Sequence, residues 1–104
     1  MMFDDTEPCY VISVVARMLG VSAQSLRYYE KAGLIEPSRS QGRVRLYSQR
    51  DVERLRQAKT LIDDLGVNLA GVEVILRLRE HIAEMERQME ELEVEIKRLR
   101  EAKL

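Results

Sequence analysis

The stretch Ser25-Leu-Arg-Tyr-Tyr-Glu-Lys-Ala-Gly-Leu-Ile-Glu-Pro37 decides the fold of this chain. Its first half predicts a helix that ends at Gly33, because glycine tolerates the left-handed backbone that follows a helix. Pro37 then prevents the helix from resuming. Leu26 and Tyr29 are spaced three residues apart, so both are expected to face a core. The other side of this helix is polar and cationic.

The preceding segment predicts a second short helix and a tight turn. Ser13 is a suitable N-cap for a helix that runs to Leu19, with an apolar stripe at Val14, Val15, Met18 and Leu19. Residues 20–22 form the connection, and Ser22 can cap the following helix over residues 23–32. Two short helices joined by so tight a turn are typical of a helix-turn-helix.

Residues 38–47 predict a cationic β-hairpin, here called the wing. Gly42 lies between two segments that can pair as strands, and residues 43–47 alternate between polar and apolar side chains. Arg39, Arg43 and Arg45 give the hairpin its positive charge. The alternative is a solvated basic loop.

Two further helices follow the wing. Ser48 and Asp51 form a variant of the capping box and open a third helix that stops at Gly66. Asn68 is suited to cap the fourth helix. The predicted buried face of the third helix is Val52, Leu55, Ala58, Ile62 and Leu65.

From Ile75 onward the apolar residues follow a heptad repeat, with alternating steps of three and four residues. So narrow an apolar stripe cannot be hidden by one helix alone, which predicts a homodimer. The predicted dimerisation residues, here called the apolar stripe, are Ile75, Leu78, Ile82, Met85, Met89, Leu92, Ile96 and Leu99.

The residues alone leave the direction of this coiled coil open. Isoleucine and leucine at alternating core positions favour a parallel pair in general. An antiparallel register is also self-complementary, since it places Ile75 opposite Leu99 of the partner subunit. It further brings Arg79 near Glu93 and His81 near Glu95 of the partner subunit, which favours the antiparallel pair slightly.

The charge distribution suggests which half of the chain meets a polyanion. Residues 10–60 carry ten Lys/Arg against four Asp/Glu, whereas residues 61–104 carry seven against eleven. A basic first half is typical of a nucleic-acid-binding surface. The alternative is a chance imbalance on a solvated surface.

Other classes of protein are not expected. The single histidine, His81, falls on a helix surface, and Cys9 is the only cysteine, so we predict no metal site, no cofactor and no catalysis. No apolar run approaches the roughly 18 residues needed to span a bilayer, so no membrane partner is expected. We predict a cytoplasmic protein with a loose tail over residues 1–9.

Double-stranded DNA is the predicted ligand. Gln24 can pair with adenine, Arg27 with guanine or a phosphate, and the Tyr28 hydroxyl with a phosphate. The wing arginines can hold phosphates or enter the minor groove. The predicted DNA-binding residues are Ser13, Ser22, Gln24, Arg27, Tyr28, Lys31, Arg39, Arg43, Arg45 and Arg50.

Residues 26–37, followed by residues 43–52 and a C-terminal coil, resemble the MerR family of transcription regulators. The resemblance covers roughly residues 10–100. It implies a mostly α-helical fold with a winged helix-turn-helix DNA-binding domain over residues 10–74 and a dimerisation helix over residues 75–104. It also implies an antiparallel coiled-coil homodimer that binds an inverted-repeat operator and distorts it.

Within that family, residues 10–13 and 66–72 resemble the heat-shock repressor (HspR-type) branch. That branch implies a repressor of chaperone genes with the DnaK chaperone as co-repressor. Residues 28–30 read more like the general family, and the nitrogen-regulator branch, controlled by glutamine synthetase, is the nearest competitor. A coiled-coil interaction module and an architectural DNA-bending protein are the alternatives outside a regulatory role.

Overall fold

Helices form most of the secondary structure in residues 4–103, which are the residues that the computed structural model describes. This confirms the predicted mostly α-helical class with a small sheet. The elements in chain order are β1 Pro8–Val11, α1 Ile12–Leu19, α2 Ala23–Lys31, β2 Ser38–Arg39, β3 Arg45–Ser48, α3 Gln49–Asp63 and α4 Leu69–Ala102.

Helices α1 and α2 form the predicted helix-turn-helix. Gly20 follows α1 with φ of 67°, a left-handed conformation that glycine adopts without strain. Ser22 caps α2, and its hydroxyl accepts a hydrogen bond from the Ser25 N–H at 3.0 Å. Both the turn and the Ser22 cap are therefore confirmed.

The start of the fold differs from the prediction. Helix α1 begins at Ile12 after Val11, with no side-chain cap, so Ser13 is not its N-cap. The reason is that strand β1 runs directly into the helix and leaves Ser13 within the first turn. The loose tail predicted over residues 1–9 is also wrong for Pro8 and Cys9, which lie in β1. Residues 1–3 lie outside the described residues.

The sheet has the strand order β1-β3-β2, with both pairs antiparallel. Strands β2 and β3 are the two sides of the wing, and Arg39 pairs with Arg45 across them. The predicted hairpin is therefore confirmed. Strand β1 occupies the other edge of β3, where Tyr10 pairs with Tyr47.

Helix α3 opens on the predicted capping box. The Asp51 N–H donates to the Ser48 hydroxyl at 3.0 Å, and the Ser48 N–H donates to the Asp51 carboxylate at 2.9 Å. The far end of the predicted buried face is wrong, since Leu61 is buried while Leu65 is 67% exposed. Steps of three residues fall short of a full helical turn, so the buried face rotates along α3. Leu65 lies beyond the end of the helix at Asp63.

The core around the helix-turn-helix combines side chains from both helices, the sheet and α3. Leu26, which was predicted to face a core, is fully buried there. Tyr29 packs against this core and is only partly buried. The members of the core are Val15, Leu19, Leu26, Ile35, Tyr47, Val52 and Leu55.

The chain divides into two compact units, an N-terminal unit that ends at Glu73 and a C-terminal unit that begins at Val74. Helix α4 has 34 residues and shows no interruption between Leu69 and Ala102. Asn68 accepts a hydrogen bond from the Gly71 N–H at 2.8 Å, as predicted for its cap. The fourth helix and the heptad helix are thus one continuous helix.

Candidate nucleic-acid interface

One side of α2 is available to a ligand, and the other belongs to the core. Leu26 is fully buried, whereas Tyr28 is 57% exposed. Gln24, Arg27 and Lys31 are also exposed. Their spacing places these four polar side chains along one side of a helix, the arrangement by which a recognition helix reads the major groove.

The wing presents a further cation at its turn. Arg43 is exposed and has φ of 62°, an uncommon conformation for a residue other than glycine. Its N–H donates to the Ser40 carbonyl at 2.8 Å, and the Val44 N–H donates to the Ser40 hydroxyl at 3.2 Å. These bonds hold the turn in shape and leave the Arg43 side chain at the surface.

The other two wing arginines bind a carboxylate on α2. Arg39 Nη2 donates to Glu30 Oε1 at 2.8 Å, and Arg45 Nε donates to Glu30 Oε2 at 2.6 Å. Glu30, Arg39 and Arg45 are here called the Glu30 cluster. It joins the last turn of α2 to both strands of the wing. Glu30 was not among the predicted site residues. Its one signal in the sequence is that it is an acidic residue among predicted DNA-binding cations.

The hydroxyl of Tyr47 is buried close to this cluster. Tyr47 is fully buried, and its hydroxyl has no hydrogen-bond partner within residues 4–103. Burial raises the pKa of this hydroxyl above its ordinary value, and the negative charge of Glu30 raises it further. Tyr47 therefore stays neutral and acts as a core residue behind the wing.

The remaining predicted DNA-binding residues occupy separate positions. Ser13 is exposed in the first turn of α1, and Arg50 is exposed near the start of α3. The Arg50 N–H donates to the Asp5 carbonyl at 2.9 Å, which ties its backbone to the chain before β1. The Ser22 hydroxyl already caps α2. Glu30 thus brings two members of the predicted set, Arg39 and Arg45, to the end of α2, whereas Ser13 and Arg50 lie on other helices.

The apolar stripe is largely uncovered in the C-terminal unit. Leu78, Met85 and Leu92 are 55%, 51% and 62% exposed. Only Ile75, at the start of the stripe, is partly buried. A row of large apolar side chains of this kind marks an interaction surface rather than a solvated face.

Metal binding has no support among the described residues. Within residues 4–103, no three histidine, cysteine or carboxylate side chains are grouped so that they could hold a metal ion. None of the described helices combines the length and apolar character needed to cross a membrane.

Known proteins resemble this chain over most of its length. The putative heat shock protein HspR of Streptomyces coelicolor is 47% identical over 89 residues, which cover 86% of this chain and 58% of the relative. The regulator GlnR of Bacillus cereus is 37% identical over 84 residues, covering 81% and 64%. This chain thus spans less than two thirds of either relative's length.

The fold resembles solved regulators as well. A MerR-family transcriptional regulator from Bacillus cereus superposes with a TM-score of 0.61 at 28% identity, covering 89% of this chain and 73% of the other. The profile of the MerR helix-turn-helix regulatory proteins matches residues 10–78, which include the whole helix-turn-helix and the wing. This chain belongs to the MerR family of helix-turn-helix regulatory proteins.

Proposed function

We propose that this protein is a homodimeric transcription repressor of heat-shock genes that binds an inverted-repeat DNA operator. The observation that carries the proposal is the exposed polar side of α2 beside a cationic wing. Both lie within residues 10–60, which carry ten Lys/Arg against four Asp/Glu. A helix with its polar side chains exposed fits the major groove, and a basic hairpin beside it suits the neighbouring backbone.

Each exposed residue of α2 has a chemical role in this proposal. Arg27 reads guanine or clamps a phosphate, and Gln24 pairs with adenine. Tyr28 and Lys31 contact phosphates and so fix the register of the helix on the duplex. Arg43 supplies the contact from the wing, while Ser13 and Arg50 supply backbone contacts at the edges of the interface.

The apolar stripe makes the protein a dimer. Its side chains are about half exposed, so a second copy of α4 is the simplest cover. We propose the antiparallel arrangement, because the stripe is self-complementary in that register and brings Arg79 near Glu93 of the partner subunit. A two-fold symmetric dimer requires a two-fold symmetric site, which is an inverted repeat.

The heat-shock branch is supported by sequence identity. HspR is 47% identical to this chain and GlnR is 37% identical. We therefore propose regulation of chaperone genes in the cytoplasm, with the DnaK chaperone as co-repressor in line with the branch resemblance. Nitrogen-responsive regulation through glutamine synthetase is the second candidate, because GlnR also matches most of the chain.

Selection from random duplex DNA tests the DNA-binding part of this proposal. Purified protein at moderate salt is expected to enrich an inverted repeat, with an affinity that falls steeply as salt rises. Arg27→Ala is expected to weaken binding to the selected site by about 1–3 kcal/mol, since one base or phosphate contact is lost.

Arg87→Ala is the matched control for that variant. Arg87 is exposed on α4, where it pairs with Glu84 and Glu91, so its loss removes the same charge from the other unit. This variant should bind the selected site as the wild type does. Absence of any enriched inverted repeat would contradict the regulator proposal. Co-purification of DnaK or of glutamine synthetase from a cell lysate distinguishes the two branches.

A further inference from the structure

We propose that Glu30 is a specificity-determining positioning residue, which holds Arg39 and Arg45 on the protein and so limits their binding to DNA phosphates of any sequence. The inference rests on the proposed DNA-binding function. It revises the sequence prediction that all three wing arginines hold phosphates or enter the minor groove. It leaves Arg43 as the principal phosphate-binding cation of the wing.

The geometry of the carboxylate supports this role. Each Glu30 oxygen accepts a hydrogen bond from a different arginine, at 2.8 Å from Arg39 and 2.6 Å from Arg45. The Glu30 side chain is only 21% exposed, and that of Arg45 is 26% exposed. A charge-assisted pair with so little exposure is screened less by salt than a surface pair. Arg45 is therefore the more firmly held of the two arginines.

The position of each charge would be unfavourable without the others. Arg39 and Arg45 are direct cross-strand partners, and like charges in that position repel. Glu30 is in the last turn of α2, where the helix dipole disfavours a carboxylate. Bringing the three side chains together removes both conflicts. It also leaves the Glu30 cluster with one net positive charge instead of two independent cations.

The consequence concerns specificity more than total affinity. Binding to arbitrary DNA depends mainly on the number of cations that can neutralise phosphates, whereas operator recognition depends on the placement of base-reading side chains. Holding two arginines on α2 reduces the binding to arbitrary DNA. It also fixes the wing relative to the recognition helix, which preserves the placement of the base-reading side chains.

The test compares Glu30→Gln with wild type on the selected operator and on a scrambled duplex, over a range of salt concentrations. Two released arginines per protomer steepen the log–log salt dependence on scrambled DNA by up to roughly 1.8 per protomer. When salt is lowered from 200 to 50 mM, the affinity of the variant for scrambled DNA should therefore rise by a factor roughly ten times larger than the factor for wild type. The operator gains less, so the preference for operator over scrambled DNA falls.

Two control variants separate this effect from net charge and from folding. Glu36→Gln removes the same charge from an exposed residue close to the wing and should barely change the slope. Glu30→Asp keeps the charge, but its shorter side chain cannot reach both arginines, so the slope should be intermediate. In an Arg39→Gln, Arg45→Gln background, Glu30→Gln should change the slope no more than Glu36→Gln does. Thermal unfolding confirms that each variant is folded.

Every outcome bears on the inference. An unchanged slope in folded Glu30→Gln or Glu30→Asp protein, or weaker binding to scrambled DNA, would overturn it. An equal change in Glu36→Gln would overturn it as well, because the effect would then be one of net charge. If wild type itself fails to distinguish operator from scrambled DNA, the proposed function fails instead. The two failures are therefore distinguishable.

Discussion

The N-terminal unit and the C-terminal unit differ in how far their apolar side chains are buried. In the first, Val15, Leu26 and Val52 are fully enclosed by side chains from several elements. In the second, Leu78 and Leu92 are 55% and 62% exposed on a single helix. The first unit encloses an apolar core within one chain, and the second leaves its apolar stripe exposed on that chain.

The difference follows from how the sequence distributes its apolar residues. The N-terminal unit changes direction repeatedly, so helices and strands bring short apolar segments together around one core. From Val74 onward there is one helix, and a regular stripe on one helix can be buried only against another helix. Burying one leucine or isoleucine stabilises by roughly 1.5–3 kcal/mol, so the stripe favours association strongly.

Of the substitutions proposed for the two units, a charge placed in the apolar stripe is expected to have the largest energetic effect. Ile82→Glu would bury two carboxylates per dimer without partners, at a cost of several kcal/mol. We expect the dimer dissociation constant to rise by about 100-fold or more, as measured by sedimentation equilibrium. The N-terminal unit should keep its helical circular dichroism signal.

Val94→Glu is the control for that prediction. Val94 is 68% exposed and lies off the heptad positions of the stripe, so the same charge there should leave the dimer intact. A dimer that survived Ile82→Glu would show that the stripe is not the interface.

A cavity in the core of the N-terminal unit is expected to have the next largest effect. Leu55 is 1% exposed, so Leu55→Ala should lower the free energy of unfolding by about 2–5 kcal/mol, through lost burial and a residual cavity. Urea unfolding at a fixed protein concentration measures the change. Leu65→Ala is the matched control, because Leu65 is 67% exposed and its loss should change stability by no more than about 0.5 kcal/mol. Equal effects at both sites would mean that the core is misassigned.

The sequence predicted best the features that depend on neighbouring residues. Ser48 and Asp51 are three residues apart, and Ser22 and Gly20 stand at the ends of short helices, so local rules suffice for them. The heptad predicted the exposed stripe for the same reason. Ser13 was the local failure, since strand β1 continues directly into the helix at Ile12 and leaves Ser13 inside the first turn.

The features that sequence could not supply depend on distant residues. Glu30 meets Arg39 nine residues away and Arg45 fifteen residues away, on two different strands. Charge alone could not show that these arginines pair with a carboxylate on α2. Likewise, β1 pairs with β3, nearly forty positions further along the chain, and nothing near Pro8 indicates that pairing. At Leu61, the rotation of the α3 face depends on which elements pack around it.

Charge reversal beside the apolar stripe has the smallest predicted effect. It would show whether the two α4 helices of the dimer are antiparallel or parallel. In the antiparallel dimer Arg79 lies near Glu93 of the partner subunit, so Arg79→Glu should weaken dimerisation by tenths of a kcal/mol, about 0.2–1 per pair. Adding Glu93→Arg should restore the attraction with the charges exchanged. A double-mutant cycle on the dimer dissociation constant gives the coupling energy, which should shrink at high salt.

In a parallel dimer the same two positions are fourteen residues apart along the axis, or roughly 21 Å at the rise of an α-helix. That separation exceeds the Debye length of about 8 Å at physiological ionic strength. The two substitutions would then be additive and no coupling would appear. The coupling is weak because Arg79 and Glu93 are exposed. A measurable coupling energy nevertheless requires the antiparallel register, since the parallel dimer gives no coupling between these two positions.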